Sequence, residues 1–364
     1  MYNVKGSLKR HAQWWHTNIK NDYIVSVIDH GYKLPLLDIP EPIILRNNKS
    51  SLDNEQFVTD EIEKLLESGV GRQLKQIPTV VNALTVAVNV EGKKRLVLDL
   101  RTVNPLLDVP KIKYEDIRTA SLYFKRNAFM SVFDLKSGYH HVDVHEAYQQ
   151  YTGFAWKNKY YCYASCPFGL SVAGAIFSKI LKELVKIWRT KGIAVVLYLD
   201  DGIIVGNTEN ELEDAVNTIR QDLFNSGFVV NEEKSVWVPA KQVKWLGFLI
   251  DSDKNQFSVP TSKLHRLKEQ IKGNLMYQHA CSARKIAKTT GVICSLYPAY
   301  GPIVYMLTKN CSLWIEQRLS WDDKSELPQA VYSYVHTKTI SRVRHSSRIC
   351  SCGMNTLSRR RWRV

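Results

Sequence analysis

The sequence predicts an α+β fold spread over roughly two domains. Three observations predict it: apolar residues recur at helical spacing in several segments, short β-rich runs bounded by turn residues lie between them, and the 364-residue chain, 45% hydrophobic and 23% charged, has an ordinary globular composition. Such a composition excludes wholesale disorder and a fibrous architecture.

At the start of the chain, residues 1–50 are mixed, with the aromatic cluster "QWWH" and the proline-punctuated "LPLLDIPEP", and are expected to form an extended arm lying on the body. Phe57, Ile62, Leu65 and Leu66 then recur at helical spacing, with Gly69 placed to end the helix. The run "LTVAVNVEGKKRLVLDLR" reads as a hairpin turning at Glu91 and Gly92, which gathers Lys93, Lys94 and Arg95 just past its tip.

The centre gives strand "AFMSVFDL", a helix from about Ser171 to Arg189, strand "AVVLYLD", strand "GIIVG", helix "ELEDAVNTIRQDLFNSG" and strand "FVV", the order of a split βαβ, ferredoxin-like unit. The first of these helices buries Ala173, Ile176, Phe177, Ile180, Leu184 and Trp188. Its Lys179, Lys182, Lys186 and Arg189 lie on another face and read either as solvated surface or as a nucleic-acid contact. Beyond Pro260, Leu264, Leu267, Ile271 and Leu275 mark one helix and Ala283, Ile286, Ala287 and Thr290 a second, so a small helical domain is expected. From about Ser333 the chain is basic and Ser-rich without periodicity, and a mobile tail is expected there.

Fifty Lys and Arg against 35 Asp and Glu give a net charge of +15, which favours polyanionic partners, nucleic acid first. Eight of those cations, Lys338, Arg342, Arg344, Arg348, Arg359, Arg360, Arg361 and Arg363, come after Glu326, beyond which no acid occurs. No apolar run is long enough to span a bilayer and the start, "MYNVKGSLKRHAQWW", lacks a secretory apolar core; no membrane partner and an intracellular setting, cytoplasm or nucleus, are expected. The seven scattered cysteines, Cys162, Cys166, Cys281, Cys294, Cys311, Cys350 and Cys352, are expected as reduced thiols. Cys350 and Cys352 with His345 match no standard zinc spacing.

The run "VVLYLDDGIIVG" sets Asp200 and Asp201 side by side in an apolar surrounding. Asp201-Gly202 is a favoured turn dipeptide, so a plain surface hairpin accounts for the pair alone. A third acid changes the balance: Asp134 ends the strand "SVFD", which in the split βαβ order lies beside the hairpin. Clustered carboxylates raise one another's pKa unless a cation is present, and two magnesium ions about 4 Å apart suit in-line phosphoryl displacement. That chemistry is nucleotidyl transfer.

"YLDDG" after "FDLKSGYHHV", with "RLVLDLRTVN" before and "CPFGLSVAGAIF" between, then "GFVVNEEKS" and "WLGFLI", resembles the retroelement reverse transcriptases over roughly Ser51 to Leu319, closest to the DIRS-like tyrosine-recombinase elements and then to gypsy-type elements and pararetroviruses. The resemblance implies a right-hand polymerase of fingers, palm and thumb. Its implied segments are an arm over residues 1–50, fingers with the start of the palm over 51–130, and palm over 131–255 with a second fingers segment near 146–168. Thumb or connection would then occupy 256–319, and a truncated RNase H start with a basic tail 320–364.

The resemblance further implies that Asp134 and Asp200 hold two Mg2+ ions, with Mn2+ as a substitute, that Asp201 assists, and that the Leu135 backbone carbonyl completes the coordination. Tyr139 would be an aromatic gate against the ribose 2′-hydroxyl; its alternative is a core tyrosine. Arg95, with Lys93 or Lys94, would meet the triphosphate, or the lysines would be solvated hairpin charges. Phe168 and Gly169 would form the nucleotide floor, and Lys234 would donate a proton to pyrophosphate, an ammonium being protonated at neutral pH. Trp245, Leu246 and Gly247 would form the primer grip. Lys263, Arg266, Lys268, Lys272, Arg284, Lys285 and Lys288 would track a template–primer duplex without reading its sequence. Partners so implied are the RNA or DNA duplex, dNTPs and other retroelement proteins supplying RNase H, recombinase or integrase.

Two departures stand out: Gly174 where the family often has proline, and Ala83 in a motif usually written "NPLTVA". The acid-free tail can assemble no RNase H carboxylate cluster, and a frameshift or wrong exon junction near Ser333 is one explanation. Three readings remain open: an RNA-directed DNA polymerase, a catalytically inactive nucleic-acid-binding remnant, and an RNA-dependent RNA polymerase, against which Tyr139 at the gate argues.

Overall fold

The computed structural model describes residues 4–89, 92–275, 281–322 and 324–326. The hairpin tip at Glu91, the tail after Glu326 and the residues His345, Cys350 and Cys352 lie outside them. The described residues fall into two compact units. The first gathers the chain up to Tyr114 with Phe133–Gly202 and Asp214–Val236; the second gathers Glu115–Val132, Ile203–Glu213 and the described residues from Trp237 onward.

The strands begin, in chain order, with β1 (Ile43–Ile44), β2 (Gly71–Leu74), β3 (Val80–Val88) and β4 (Lys94–Asp99). After β5 (Phe129–Asp134) come β6 (Gly153–Trp156), β7 (Lys159–Tyr163), β8 (Ala194–Tyr198), β9 (Asp201–Gly206) and β10 (Val236–Ala240). One six-stranded sheet runs β1-β3-β6-β7-β2, with β4 paired to β3. The β3–β4 pair is antiparallel in the register Val88↔Lys94, which makes the basic hairpin expected from the sequence. A second hairpin, β6–β7, closes through Lys157 and Asn158, both at positive φ (47° and 59°) as a type I′ turn requires, and Phe154 stacks on Tyr161 across it.

A four-stranded sheet has the order β10-β5-β9-β8. The acid-bearing ends, Phe133–Asp134 and Asp200–Gly202, belong to the first unit. Helix Ala173–Thr190 buries Ile176, Phe177, Ile180, Leu184 and Trp188 as its periodicity requires, starting two residues later than expected. Three residues of its basic stripe are engaged: Lys179 lies over the Tyr23 ring, Lys186 pairs with Glu183, and Arg189 donates to the Val195 carbonyl at 2.7 Å. Helix Glu55–Glu67 ends just before Gly69, whose φ of 69° is the left-handed backbone that glycine tolerates.

The N-terminal residues are not an extended arm. Residues 7–30 form the helices Ser7–Arg10, Ala12–Asn18 and Asp22–His30, and 31–48 are free of helix. Trp15 is fully buried against Phe228, and its indole donates to the Ser226 carbonyl at 2.9 Å. A side chain on Gly227 would strike the Ser7 carbonyl and the His11 ring, so the glycine lets the helices seat there.

The second unit contains the antiparallel strands β11 (Gln242–Trp245), β12 (Phe248–Asp251) and β13 (Gln256–Ser258), and the helices Thr261–Leu275, Ala283–Cys294, Tyr297–Tyr300 and Ile303–Glu316. Leu267, Ile271, Ala283, Ile286 and Thr290 are buried as periodicity placed them, Leu264 and Ala287 are half-buried, and Ile293, Leu307 and Trp314 extend the core. No described helix is long and apolar enough to cross a membrane. Cys162, Cys166, Cys294 and Cys311 are free thiols.

Candidate active site

The three acids meet in the first unit. Strand β5 is buried along almost its whole length and delivers Asp134 with 8% exposure. The Leu135 amide donates to the Asp200 carbonyl at 2.9 Å, tying the end of β5 to the hairpin between β8 and β9. A third segment closes on them: the Asn231 amide donates to the Asp134 carbonyl at 2.8 Å, and the Lys136 amide to the Val229 carbonyl at 2.8 Å.

The hairpin turn is not Asp201-Gly202, as the dipeptide suggested. It is Leu199–Asp200, and the positive φ falls on Leu199 at 54°. A bulky residue there is uncommon and costs about 1–3 kcal/mol, which the surrounding structure has to hold. Gly202 lies inside β9, and a Cβ on it would collide with the ring of Phe133. Its glycine is therefore a packing requirement and not a turn requirement.

Asp134 is the best-supported of the three carboxylates. Its Oδ1 accepts from the Asn231 side-chain amide at 3.0 Å and lies 3.5 Å from the Lys234 ammonium, while its own amide donates to Ser235 Oγ at 3.1 Å. Asn231 and Ser235 flank Lys234 within "NEEKS", and sequence reasoning assigned them nothing; the short polar block directly after the apolar run "FVV", which makes only a single bridge from Val230 to Leu135 and not the expected strand, was the available signal. Asp200 and Asp201 have fewer partners. Burial, with the neighbouring carboxylates adding to it, raises the pKa of both, and that of Asp201 reaches about 6.

Among the described residues, no three His, Cys, Asp or Glu side chains are arranged around a common point that would hold a metal ion. Asp134 Oδ1 is instead committed to the Asn231 amide and the Lys234 ammonium. The donor chemistry nevertheless fits a divalent cation, because three hard carboxylates share one neighbourhood, and the raised pKa values of Asp200 and Asp201 are what a cation reverses.

Around the acids stands an aromatic cluster. Tyr139 packs against Phe168 and Phe177, with ring centroids 5.6 and 5.7 Å away, and its pKa is raised by burial first and then by Tyr114 and Asp200. The Arg95 guanidinium lies 5.6 Å from the Phe168 centroid, so this cation reaches the cluster. Lys94 lies over Phe57 instead, and Lys93 is exposed. Gly169, at φ 104°, backs onto the Leu98 carbonyl, and its own carbonyl accepts from the Asn104 side chain at 2.9 Å. A Cβ on Gly174 would stand 2.8 Å from the Tyr114 hydroxyl and 3.5 Å from that of Tyr139, so the departure to glycine makes room for Tyr114. Tyr114 was not anticipated.

Trp245, Leu246 and Gly247 belong to the second unit and form the turn between β11 and β12, with Leu246 at φ 45° and Gly247 at φ 75°. Trp245 is buried, and the Lys263 ammonium lies 4.7 Å from the Phe248 ring centroid, where burial lowers its pKa. Of the other basic residues expected on these helices, Lys272 pairs with Glu269 and Arg284 with Asp322.

Similarity to known proteins is found in both sequence and fold. Residues 88–250 match the family described as reverse transcriptase (RNA-dependent DNA polymerase). The retrovirus-related Pol polyprotein from transposon gypsy of Drosophila melanogaster is 27% identical over 220 residues, 58% of this chain and 21% of that protein. The transposon Tf2-3 polyprotein of Schizosaccharomyces pombe is 26% identical over 231 residues, 63% of this chain and 16% of that protein. The chain thus spans about a fifth or less of the length of these relatives.

Among solved structures, the foamy viral protease-reverse transcriptase in complex with RNA/DNA hybrid superposes with a TM-score of 0.68 at 16% identity, over 93% of this chain and 46% of that one. A second structure of that protein with double-stranded DNA gives 0.67 at 17% identity, over 93% of this chain and 60% of that one. The α+β architecture is therefore of the right-hand polymerase class, and residues 88–250 match the reverse transcriptase family, with similar sequences in the gypsy and Tf2 transposon polyproteins.

Proposed function

We propose that this chain is an RNA-directed DNA polymerase of a retroelement, extending a primer 3′-hydroxyl with dNTPs on an RNA or DNA template. The observation that carries the reading is the approach of Asp134 to the adjacent Asp200 and Asp201, fixed by the bond from the Leu135 amide to the Asp200 carbonyl. Asp134, Asp200 and Asp201, with the Leu135 carbonyl, are the groups that would hold two Mg2+ or Mn2+ ions. When bound, such ions supply activation of the attacking oxygen and neutralisation of the leaving one.

The remaining roles belong to the chain's own residues. Asn231 and Lys234 orient the Asp134 carboxylate, and the Lys234 ammonium is the proton source for departing pyrophosphate. Tyr139, wedged between Phe168 and Phe177, excludes a ribose 2′-hydroxyl by its bulk. Arg95 meets the triphosphate, with Lys93 and Lys94 as further cations, over a floor made by Phe168 and Gly169. Trp245, Leu246 and Gly247 serve as the primer grip.

In this reading residues 51–130 are fingers with the start of the palm, 131–255 palm, and 256–319 thumb or connection, whose cations track the duplex backbone. The DIRS-like placement stands as part of the proposal, beside the gypsy and Tf2 relatives. Primer extension on an RNA template tests the whole: dNTP- and Mg2+-dependent product supports it, whereas duplex binding without product indicates an inactive remnant.

A further inference from the structure

His141 lies two residues beyond Tyr139, is 1% exposed, and has no part in the roles above. Its ring packs on Phe228 and Phe177, with centroids 5.0 and 6.3 Å away. Both ring nitrogens are engaged with backbone: Nδ1 is 2.9 Å from the Gly138 carbonyl and Nε2 is 3.0 Å from the Val229 amide. An amide can only donate, so Nε2 accepts. A carbonyl can only accept, so Nδ1 carries the proton. One neutral tautomer satisfies both bonds, and burial keeps the ring neutral by lowering its pKa to about 4.

These two bonds join segments with different tasks. Gly138–His141 is the short helical turn that carries Tyr139, and its entry is unusual backbone, with Ser137 at φ 57° and Gly138 at φ 25°. Such a conformation is not held by the intrinsic preference of serine. Val229 belongs to the segment behind Asp134, where the Lys136 amide donates to the Val229 carbonyl, the Asn231 amide donates to the Asp134 carbonyl, and Leu135 bridges to Val230. The imidazole is thus a crosslink from the Tyr139 turn to the backing of Asp134, made from the core side.

We propose that His141 is a positioning residue for sugar selection: it fixes the Tyr139 turn against the segment that supports Asp134, and so sets where the Tyr139 ring stands relative to the acids. This rests on the polymerase reading above. Replacement by leucine keeps bulk but leaves the Gly138 carbonyl and the Val229 amide without their partner. Glutamine restores one donor and one acceptor in one side chain.

The test compares wild type, His141→Leu and His141→Gln in the full chain by amide hydrogen exchange and by single-nucleotide incorporation with dNTP or rNTP. In the leucine variant, exchange over Gly138–Val142 and Phe228–Asn231 is expected to rise about ten-fold, the scale of one lost hydrogen bond, with the hairpin of β6 and β7 unchanged. The preference for dNTP over rNTP is expected to fall about ten-fold through KM rather than kcat, and the glutamine variant to regain most of both.

Unchanged exchange in the two segments overturns the proposal. So does faster exchange with unchanged sugar preference, which leaves an ordinary core histidine. If the leucine variant does not fold, His141→Asn, which keeps the donor but falls short of Val229, carries the same comparison. A wild type that extends no primer refutes the polymerase reading instead, and the exchange data then decide by themselves whether His141 ties the two segments.

Discussion

The Leu135 amide donates to the Asp200 carbonyl at 2.9 Å, and this one backbone bond brings two distant acidic motifs to a common place. The side chains gathered there are in conflict. Burial and mutual repulsion push Asp200 and Asp201 toward the protonated state, which the Lys234 ammonium, 3.5 Å from Asp134 Oδ1, opposes only in part. The conflict has measurable consequences.

The first concerns pH. An Asp201 pKa of about 6 in the folded chain, against roughly 3.9 unfolded, means that the folded state binds more protons between those values. Stability from this group is complete below about pH 4 and is lost as pH rises through about 6. With metal chelated, the difference in melting temperature between wild type and Asp201→Asn should therefore shift in favour of the variant across that window. At pH 7.5, saturating Mg2+ should raise the wild-type melting temperature, since a ligand at 100 times its Kd adds about 2.7 kcal/mol, and should not raise that of Asp134→Asn. Equal responses of the two proteins to Mg2+ would contradict shared coordination.

The second concerns Gly202. Because a Cβ there meets the Phe133 ring, Gly202→Ala should destabilise the fold by about 1–3 kcal/mol in urea unfolding. Phe133→Leu should recover part of the loss in the double variant, by freeing the space that the ring occupies. If the alanine variant unfolds at the wild-type urea midpoint, the close approach is not what requires glycine.

The third concerns Tyr139. Its ring is fixed on two sides by Phe168 and Phe177, so it is rigid enough to discriminate by clash. Tyr139→Ala should increase rNTP incorporation relative to dNTP by about 10–100-fold, the scale of removing a steric contact in a binding pocket. Tyr139→Phe should leave the ratio near that of the wild type. An unchanged ratio in the alanine variant would assign the residue to the core.

Much of this was legible because it is local or periodic. Val88 and Lys94 pair as the hairpin pattern demanded, the helix from Ala173 buries the stripe that its spacing defined, and adjacent acids between apolar runs marked the hairpin of β8 and β9. What the sequence hid depends on distant partners. Gly202 looks like a turn glycine until Phe133 is placed against it, and Leu199 takes a backbone conformation that its side chain disfavours. The N-terminal helices are only four to nine residues long, too short for a period to show, and Trp15 draws its meaning from Ser226 and Phe228. His141 and Asn231 act through backbone groups that no motif displays.

The most direct measurement is a double-mutant cycle on the single-turnover rate of primer extension with Mg2+, using Asp134→Asn, Asp200→Asn and the pair together. Carboxylates that share cations act as a unit, so each single variant should lose about 1,000-fold and the double variant scarcely more. Losses that multiply in the double variant, or a single variant that keeps its rate within about ten-fold, would show that the two acids do not work on the same ions.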